Sequence, residues 1–336
     1  MLISFVGSRF QLMSKTAVFF GEELAKYGFG ETHPFNSNRI YSFWSKFCAL
    51  NLDKSDQIQI ERPEIADEAL LSRFHDAEYI DLVKKSSKLG SGFLDLGDTP
   101  AFRGVFESSS YVVGTSLKAL ELVMKKTGGI LHAFNPIGGL HHARRGSAGG
   151  FCVFNDIGVV VLLAREKYGI KKIAYVDIDA HHGDGVYYEF ENDPNLYIAD
   201  IHEDGRYLYP GTGSESEIGL GNARGTKLNI QMKPNSDDND FFSEFKRIEE
   251  FISNVAKPEL IIFQCGADCM KGDPLTHLQY SSKAHKFASN VLHRLSHEHS
   301  EGRIIALGGG GYNLANIANA WTEIVKSLID DALLPN

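Results

Sequence analysis

Four short apolar, β-rich runs, Ile173-Ala-Tyr-Val176, Leu196-Tyr-Ile-Ala199, Leu260-Ile-Ile-Phe263 and Ile304-Ile-Ala-Leu307, each give way at once to polar or glycine-rich chemistry. Unbroken apolar runs of this length are the mark of parallel strands buried on both faces. Their continuations are Asp177 to Gly185, Asp200 with His202, Gln264 to Asp268, and Gly308 to Asn313. In an open α/β sheet, ligands bind at the carboxyl ends of the strands, so residues far apart in sequence converge there. The chain is therefore expected to be an α/β protein with a mainly parallel sheet and one site at its C-terminal edge. Lys15 to Phe20 reads as the first buried strand, preceded by a segment, residues 1–14, that is either an N-terminal extension or an extra edge strand.

The richest continuation is Asp177-Ile-Asp-Ala-His-His-Gly-Asp184. On an extended backbone Asp177, Asp179 and His181 would project to one face, since side chains at i, i+2 and i+4 share it. Two carboxylates and an imidazole suit a divalent ion, and a catalytic zinc needs three protein ligands with one position open to water. Asp268, after the third run, is the candidate third ligand. It could equally be an ordinary helix N-cap, but the Asp177–Gly185 stretch resists a bland reading. So many ionisable groups at a strand end carry a large desolvation cost unless a metal or a function offsets it.

A second cluster, Gly138-Gly-Leu-His141-His142-Ala-Arg-Arg-Gly146, puts adjacent histidines in a glycine-rich loop, ahead of a helix-like run from Ile157 to Tyr168. Metal-assisted hydrolysis needs a group of near-neutral pKa to take and return a proton. Asp177 and Asp184 remain free to orient these imidazoles once Asp179 is assigned to the metal. Alone, a His-His pair is usually an unremarkable loop; beside the aspartates it supplies an acid and a base.

At 336 residues, with no linker, repeat or low-complexity tract, residues 15–336 read as one large α/β domain. A net charge of −9 argues against a nucleic-acid partner or an acidic membrane surface. The four cysteines, Cys48, Cys152, Cys265 and Cys269, lack zinc-finger spacing, and no secretory leader or membrane-length apolar run is read; the expectation is a reduced cytoplasm.

With these residues in view, the chain resembles the zinc-dependent histone deacetylase superfamily, and within it the bacterial and archaeal acetoin-utilisation type. The resemblance runs from Tyr27-Gly-Phe-Gly-Glu-Thr-His33-Pro-Phe-Asn-Ser-Asn-Arg39 through Phe74-His75-Asp-Ala-Glu-Tyr79 and the two clusters above to Gly308-Gly-Gly-Gly-Tyr312-Asn313. It implies a single arginase/deacetylase-type domain whose sheet has about eight strands. By motif, Asp179, His181 and Asp268 resemble the ligands of one zinc ion. His142, backed by Asp184, resembles the general base and acid; His141, backed by Asp177, resembles a second histidine that stabilises charge. Tyr312 resembles the tyrosine that hydrogen-bonds the substrate carbonyl. Gly150, Phe151 and Tyr209 resemble the walls of a tunnel for an acylated lysine, Leu275 its rim, and Asp98 a rim aspartate that grips substrate backbone.

Two departures stand out. Asp200 replaces the serine usual at a K+ or Na+ site formed with Asp177, Asp179, His181 and Ile201, and so strengthens, alters or abolishes that site. Tyr209 replaces a commoner phenylalanine. The resemblance implies removal of an acetyl or short acyl group from the ε-amine of lysine in proteins or peptides. The rivals are an acetylpolyamine amidohydrolase, for which Glu203 and Asp204 near the tunnel mouth would suit a polycation, a two-metal ureohydrolase, and a non-catalytic acyl-lysine binding protein.

Overall fold

The computed structural model describes residues 14–334; the proposed extension or edge strand, residues 1–14, lies outside these except for Ser14. Eight strands form one sheet: β1 (Lys15–Phe19), β2 (Ile58–Glu61), β3 (Ile130–Asn135), β4 (Ile173–Asp177), β5 (Leu196–Glu203), β6 (Lys227–Met232), β7 (Leu260–Gln264) and β8 (Ile304–Leu307). Their order is β2-β1-β3-β8-β7-β4-β5-β6, and every pairing is parallel.

Helices cover both faces, which is why the strands read as apolar runs. Along β4, Ile173 and Tyr175 pack into one hydrophobic layer and Ala174 and Val176 into the other. The helix expected from Ile157 to Tyr168 spans Asp156–Tyr168, with Asn155 as N-cap: its side chain accepts the Gly158 N–H at 2.8 Å.

Register aligns the chemistry. Asn135 pairs with Leu307, Leu307 with Gln264, Gln264 with Asp177, and Asp177 with Asp200, so four strands end in one row with Asp200, inside the longer β5, beside them. After β4 the chain moves outward to β5 and β6, whereas after β7 it moves the other way to β8. The boundary between β7 and β4 is thus a topological switch point, where strand ends open into a crevice.

Candidate active site

Strand β4 stops at Asp177, four residues earlier than an alternation through His181 requires. Asp177 Oδ1 accepts the Asp179 N–H at 3.0 Å, and Asp179 Oδ1 accepts the His181 N–H at 3.0 Å. These side-chain bonds turn the backbone away from the sheet. The strand-face argument for this trio is therefore incorrect; it is the turn that brings Asp179 Oδ1 to 3.1 Å from His181 Nδ1. Asp268 follows β7 across the switch point, is not a helix cap, and places Oδ2 3.1 Å from the same nitrogen while Oδ1 accepts the Ala180 N–H at 2.9 Å.

The donor set fits a divalent ion. Ligand atoms of Asp179, His181 and Asp268 all lie within 4.8 Å of one another, and all three residues are buried. Donors around tetrahedral zinc sit about 3.3 Å apart. Burial, and then Asp179 alongside, push the Asp268 carboxyl up to about 7. Burial opposes a charge on His181, yet hydrogen bonds with both aspartates raise it to about 10, so without a metal a proton at Nδ1 holds the carboxylates together. A dication would satisfy the same negative charge.

Asp179 is held from behind. Gln264 Nε2 and the Gly310 N–H each donate to its Oδ2 at 2.8 Å, leaving Oδ1 to face His181. A Cβ at Gly266 would meet Asp179 Oδ2 at 2.2 Å and one at Gly310 would meet Asp268 Oδ2 at 2.1 Å, so both glycines permit an approach that no side chain allows.

The histidine loop is anchored by Asp156, whose carboxylate accepts the N–H groups of Gly139 and Leu140 and the Ser116 hydroxyl. His141 Nδ1–H donates to Asp177 Oδ2 at 2.8 Å; His142 Nδ1–H donates to Asp184 Oδ1 at 2.7 Å. The two Nε2 atoms face each other at 3.1 Å. Their environments differ sharply. Burial disfavours charge on His141, but Asp177 and Asp179 overcome it and raise the ring to about 9. Burial and the neighbouring His141 lower His142 to about 4. At neutral pH one imidazole is charged and the other is unprotonated at Nε2, which accepts the His141 Nε2–H.

A small cavity lined by His141, His142, Gly150, Cys152, Asp179, His181, Gly310 and Tyr312 joins the two clusters. Gly150 has φ +52° and a Cβ there would lie 2.3 Å from the His142 ring, so glycine is required on both counts. Phe151 is strained at φ 66°, and Tyr27 and Thr99 hold it there: its carbonyl accepts the Tyr27 hydroxyl at 2.8 Å and its N–H donates to Thr99 Oγ1 at 3.1 Å. Its ring meets Tyr312 at 5.7 Å, while Tyr209 meets His142 at 5.1 Å. Leu275 is 36% exposed on a segment tied to Tyr312 through Asp273, which accepts both N–H groups. Asp98 is exposed next to Thr99, and burial with neighbouring Asp95 raises it to about 6.

Asp200 and Ile201 are buried within β5. Both Asp200 oxygens are engaged inside the chain, one by His202 Nδ1 at 2.6 Å and the other by the Gly183 N–H at 2.9 Å. Glu203 and Asp204 are not free surface charges either. Both are buried, Glu203 accepting His277 Nδ1 at 2.7 Å and its N–H at 2.8 Å, and Asp204 paired with Arg206.

The family model described as the histone deacetylase domain matches residues 33–328. This chain belongs to the histone deacetylase family. It is an acetoin-utilisation-like member and a deacetylase hydrolase, being 37% identical to the acetoin utilization protein AcuC of Bacillus subtilis (strain 168) over 306 residues, 89% of this chain and 78% of that one. Among solved structures, it is similar to the HDA15 HD domain, with TM-score 0.85 and 26% identity over 96% of this chain and 90% of the other. It is also similar to an HDAC homolog from Aquifex aeolicus, with TM-score 0.83 and 29% identity over 94% and 84%.

Reading motifs alone gives no role to several residues that shape this histone deacetylase site: Gln264, Asp156, Tyr27, Asp273 and Arg39. Arg39 is fully buried and donates from Nε to the Gly311 carbonyl at 2.8 Å and from Nη2 to that of Gly309. The usable signal was a charged or amide residue inside an otherwise apolar or glycine-rich motif, where burial demands a partner.

Proposed function

We propose that this chain is a zinc-dependent amidohydrolase that removes an acetyl or short acyl group from the ε-amine of lysine in proteins or peptides. The observation that carries this reading is the meeting, in one buried cavity, of a two-aspartate, one-histidine donor set with two histidines backed by separate carboxylates. Asp179, His181 and Asp268 would hold the zinc, which supplies Lewis acidity toward the amide carbonyl and acidifies water for attack.

His142 is the base, because its Nε2 is unprotonated at neutral pH. The charge it gains on taking a proton is stabilised through Nδ1 by Asp184, whose other oxygen is held by Arg144 Nη2 at 2.9 Å. It then returns a proton to the leaving nitrogen as the C–N bond breaks, giving acetate and the free amine. His141 keeps its proton and supplies fixed positive charge. Burial and neighbouring Asp268 push the Tyr312 hydroxyl far above its usual range, so it stays protonated and can donate to the developing oxyanion. Such a donor is typically worth roughly 3 kcal/mol.

Phe151 and Tyr209 offer flat faces to an unbranched methylene stem. Peptide is favoured over polyamine because Glu203 and Asp204 already have cationic or hydrogen-bonding partners, whereas exposed Asp98, beside the Thr99 that holds Phe151, is placed to accept a peptide N–H. A K+ or Na+ ion near Asp177, Asp179, His181, Asp200 and Ile201 is the weaker reading, since the Asp200–His202 pair already balances charge there. The four cysteines are unpaired, which supports a reducing compartment such as the cytoplasm.

The test is a panel of acetyl-lysine peptides, longer acyl-lysines and acetylpolyamines with the zinc-loaded enzyme. Peptides should have the highest kcat/KM. Faster turnover of acetylputrescine or acetylspermidine than of every peptide would overturn the substrate assignment, and tight binding with no acetate release would favour a non-catalytic binder.

A further inference from the structure

Away from the catalytic cavity, His132 on β3 meets His293 and His297 on the helix Ser282–His299. The last two are four residues apart and so share one helix face. Ring centroids are separated by 4.5 Å for His132–His293, 5.2 Å for His132–His297 and 5.0 Å for His293–His297. Ligand nitrogens of all three lie within 4.8 Å of one another. Because His132 pairs with Ile304 at the start of β8, three residues before the Asn135–Leu307 row, this cluster lies about 10 Å down the strand from the catalytic edge.

Two features separate this group from ordinary core packing. The Thr16 hydroxyl donates to the Leu328 carbonyl at 3.1 Å, so its lone pair is left to accept His132 Nδ1–H at 3.4 Å. That fixes the tautomer in which His132 Nε2 is the acceptor nitrogen, facing His297 Nε2, and the Nδ1–H bond is the outer contact typical of a metal-bound histidine. His132 Nε2 lies 3.0 Å from His297 Nε2, near the roughly 3.3 Å separation of donors around tetrahedral zinc. Second, His293 is fully buried, yet among the described residues neither of its ring nitrogens has a hydrogen-bond partner. Leaving such a group unsatisfied is costly.

We propose that His132, His293 and His297 form a second divalent-metal site, suited to zinc or another imidazole-preferring ion, that clamps the helix Ser282–His299 to the sheet away from the catalytic centre. Three neutral imidazoles are a donor set for zinc, nickel or copper rather than for calcium or magnesium. The site ties a helix to a strand about 160 residues earlier and so acts on stability, with no contact to substrate.

The experiment uses zinc itself. Full-length wild type and His297→Gln are stripped, dialysed against micromolar zinc, and assayed for zinc per chain and for thermal unfolding with and without metal. His297 is the one partly exposed member of the cluster, so its replacement disturbs the core least. Wild type should hold two ions and His297→Gln one, with deacetylation rates within about twofold of each other. In an Asp179→Ala background zinc should still raise Tm, and adding His297→Gln should abolish that rise. A wild type that holds only one ion, or a second ion retained unchanged by both His297→Gln and His293→Asn, would overturn the proposal. Should either histidine variant unfold without metal, the tetrahedral Co2+ absorption of Asp179→Ala decides: a signal is expected, and its absence contradicts the site.

Discussion

Replacing Gly310 by alanine should cost the enzyme its metal while sparing its fold. The Gly310 backbone is not in the left-handed region, so alanine adds no conformational strain, and its effect is purely that of one methyl group. That methyl would fall 2.1 Å from Asp268 Oδ2 and 2.7 Å from Asp179 Oδ2, where ordinary contact begins at 3.4 Å. Asp268 must therefore retreat by more than an ångström, and a zinc–carboxylate bond of about 2.0–2.2 Å cannot follow. Overpacking of this kind destabilises by roughly 1–3 kcal/mol. Disturbing even a supporting neighbour of a metal ligand costs about 10–100-fold in affinity, so displacing a ligand should cost at least a hundredfold. The assay is zinc content after dialysis against a zinc buffer, followed by kcat/KM on an acetyl-lysine peptide. Gly149→Ala is the control, because its Cβ would meet nothing closer than 3.4 Å. If Gly310→Ala keeps full zinc and turnover, Asp268 does not hold the metal as described.

The other expectations are brief. His142→Ala should lose roughly 100- to 10,000-fold in kcat and His141→Ala less, since one ring moves protons and the other supplies charge; equal, mild losses would assign proton transfer elsewhere. His75 is buried, with Nδ1–H donating to the Arg145 carbonyl at 3.2 Å and Nε2 accepting the Asn155 N–H at 2.9 Å, and burial lowers it to about 4. Since the folded pKa lies below the unfolded value of about 6.5, this stabilisation is complete above pH 6.5 and falls as pH drops toward 4, by about 2 kcal/mol at pH 5. The drop in urea midpoint between pH 7.5 and 5 should accordingly shrink in His75→Gln; an unchanged drop would show that His75 does not contribute. Activity of the wild type should be indifferent to potassium because His202 neutralises Asp200, and a steep potassium dependence would show that an ion binds there after all.

Much of the site was legible because its chemistry sits in short contiguous motifs directly after apolar strands. The runs beginning at Ile173, Leu196, Leu260 and Ile304 are all strands, and their parallel register is what aligns Asp177, Gln264 and Asp200. Other strands were less visible for physical reasons. The edge strand β2 is only half-buried and so lacks an apolar run, and β3 carries His132 in its middle. Local patterning also could not show that Asp177 and Asp179 would cap their own following backbone and end β4 early. Least legible were partners distant in sequence. Nothing near Asp204 except Arg206, and nothing near Glu203, announces their neutralisation, and for Glu203 the partner is His277. Likewise the support of Asp179 by Gln264 and Gly310 exists only once β4, β7 and β8 lie side by side.

The most direct test is zinc titration of metal-stripped wild type and Asp179→Ala, with acetate release from an acetyl-lysine peptide as the readout. Wild type should start near zero and regain turnover as zinc is added, while Asp179→Ala stays at baseline throughout. Undiminished acetate release by the stripped enzyme, or equal recovery by Asp179→Ala, would contradict the claim that Asp179, His181 and Asp268 hold a catalytic zinc.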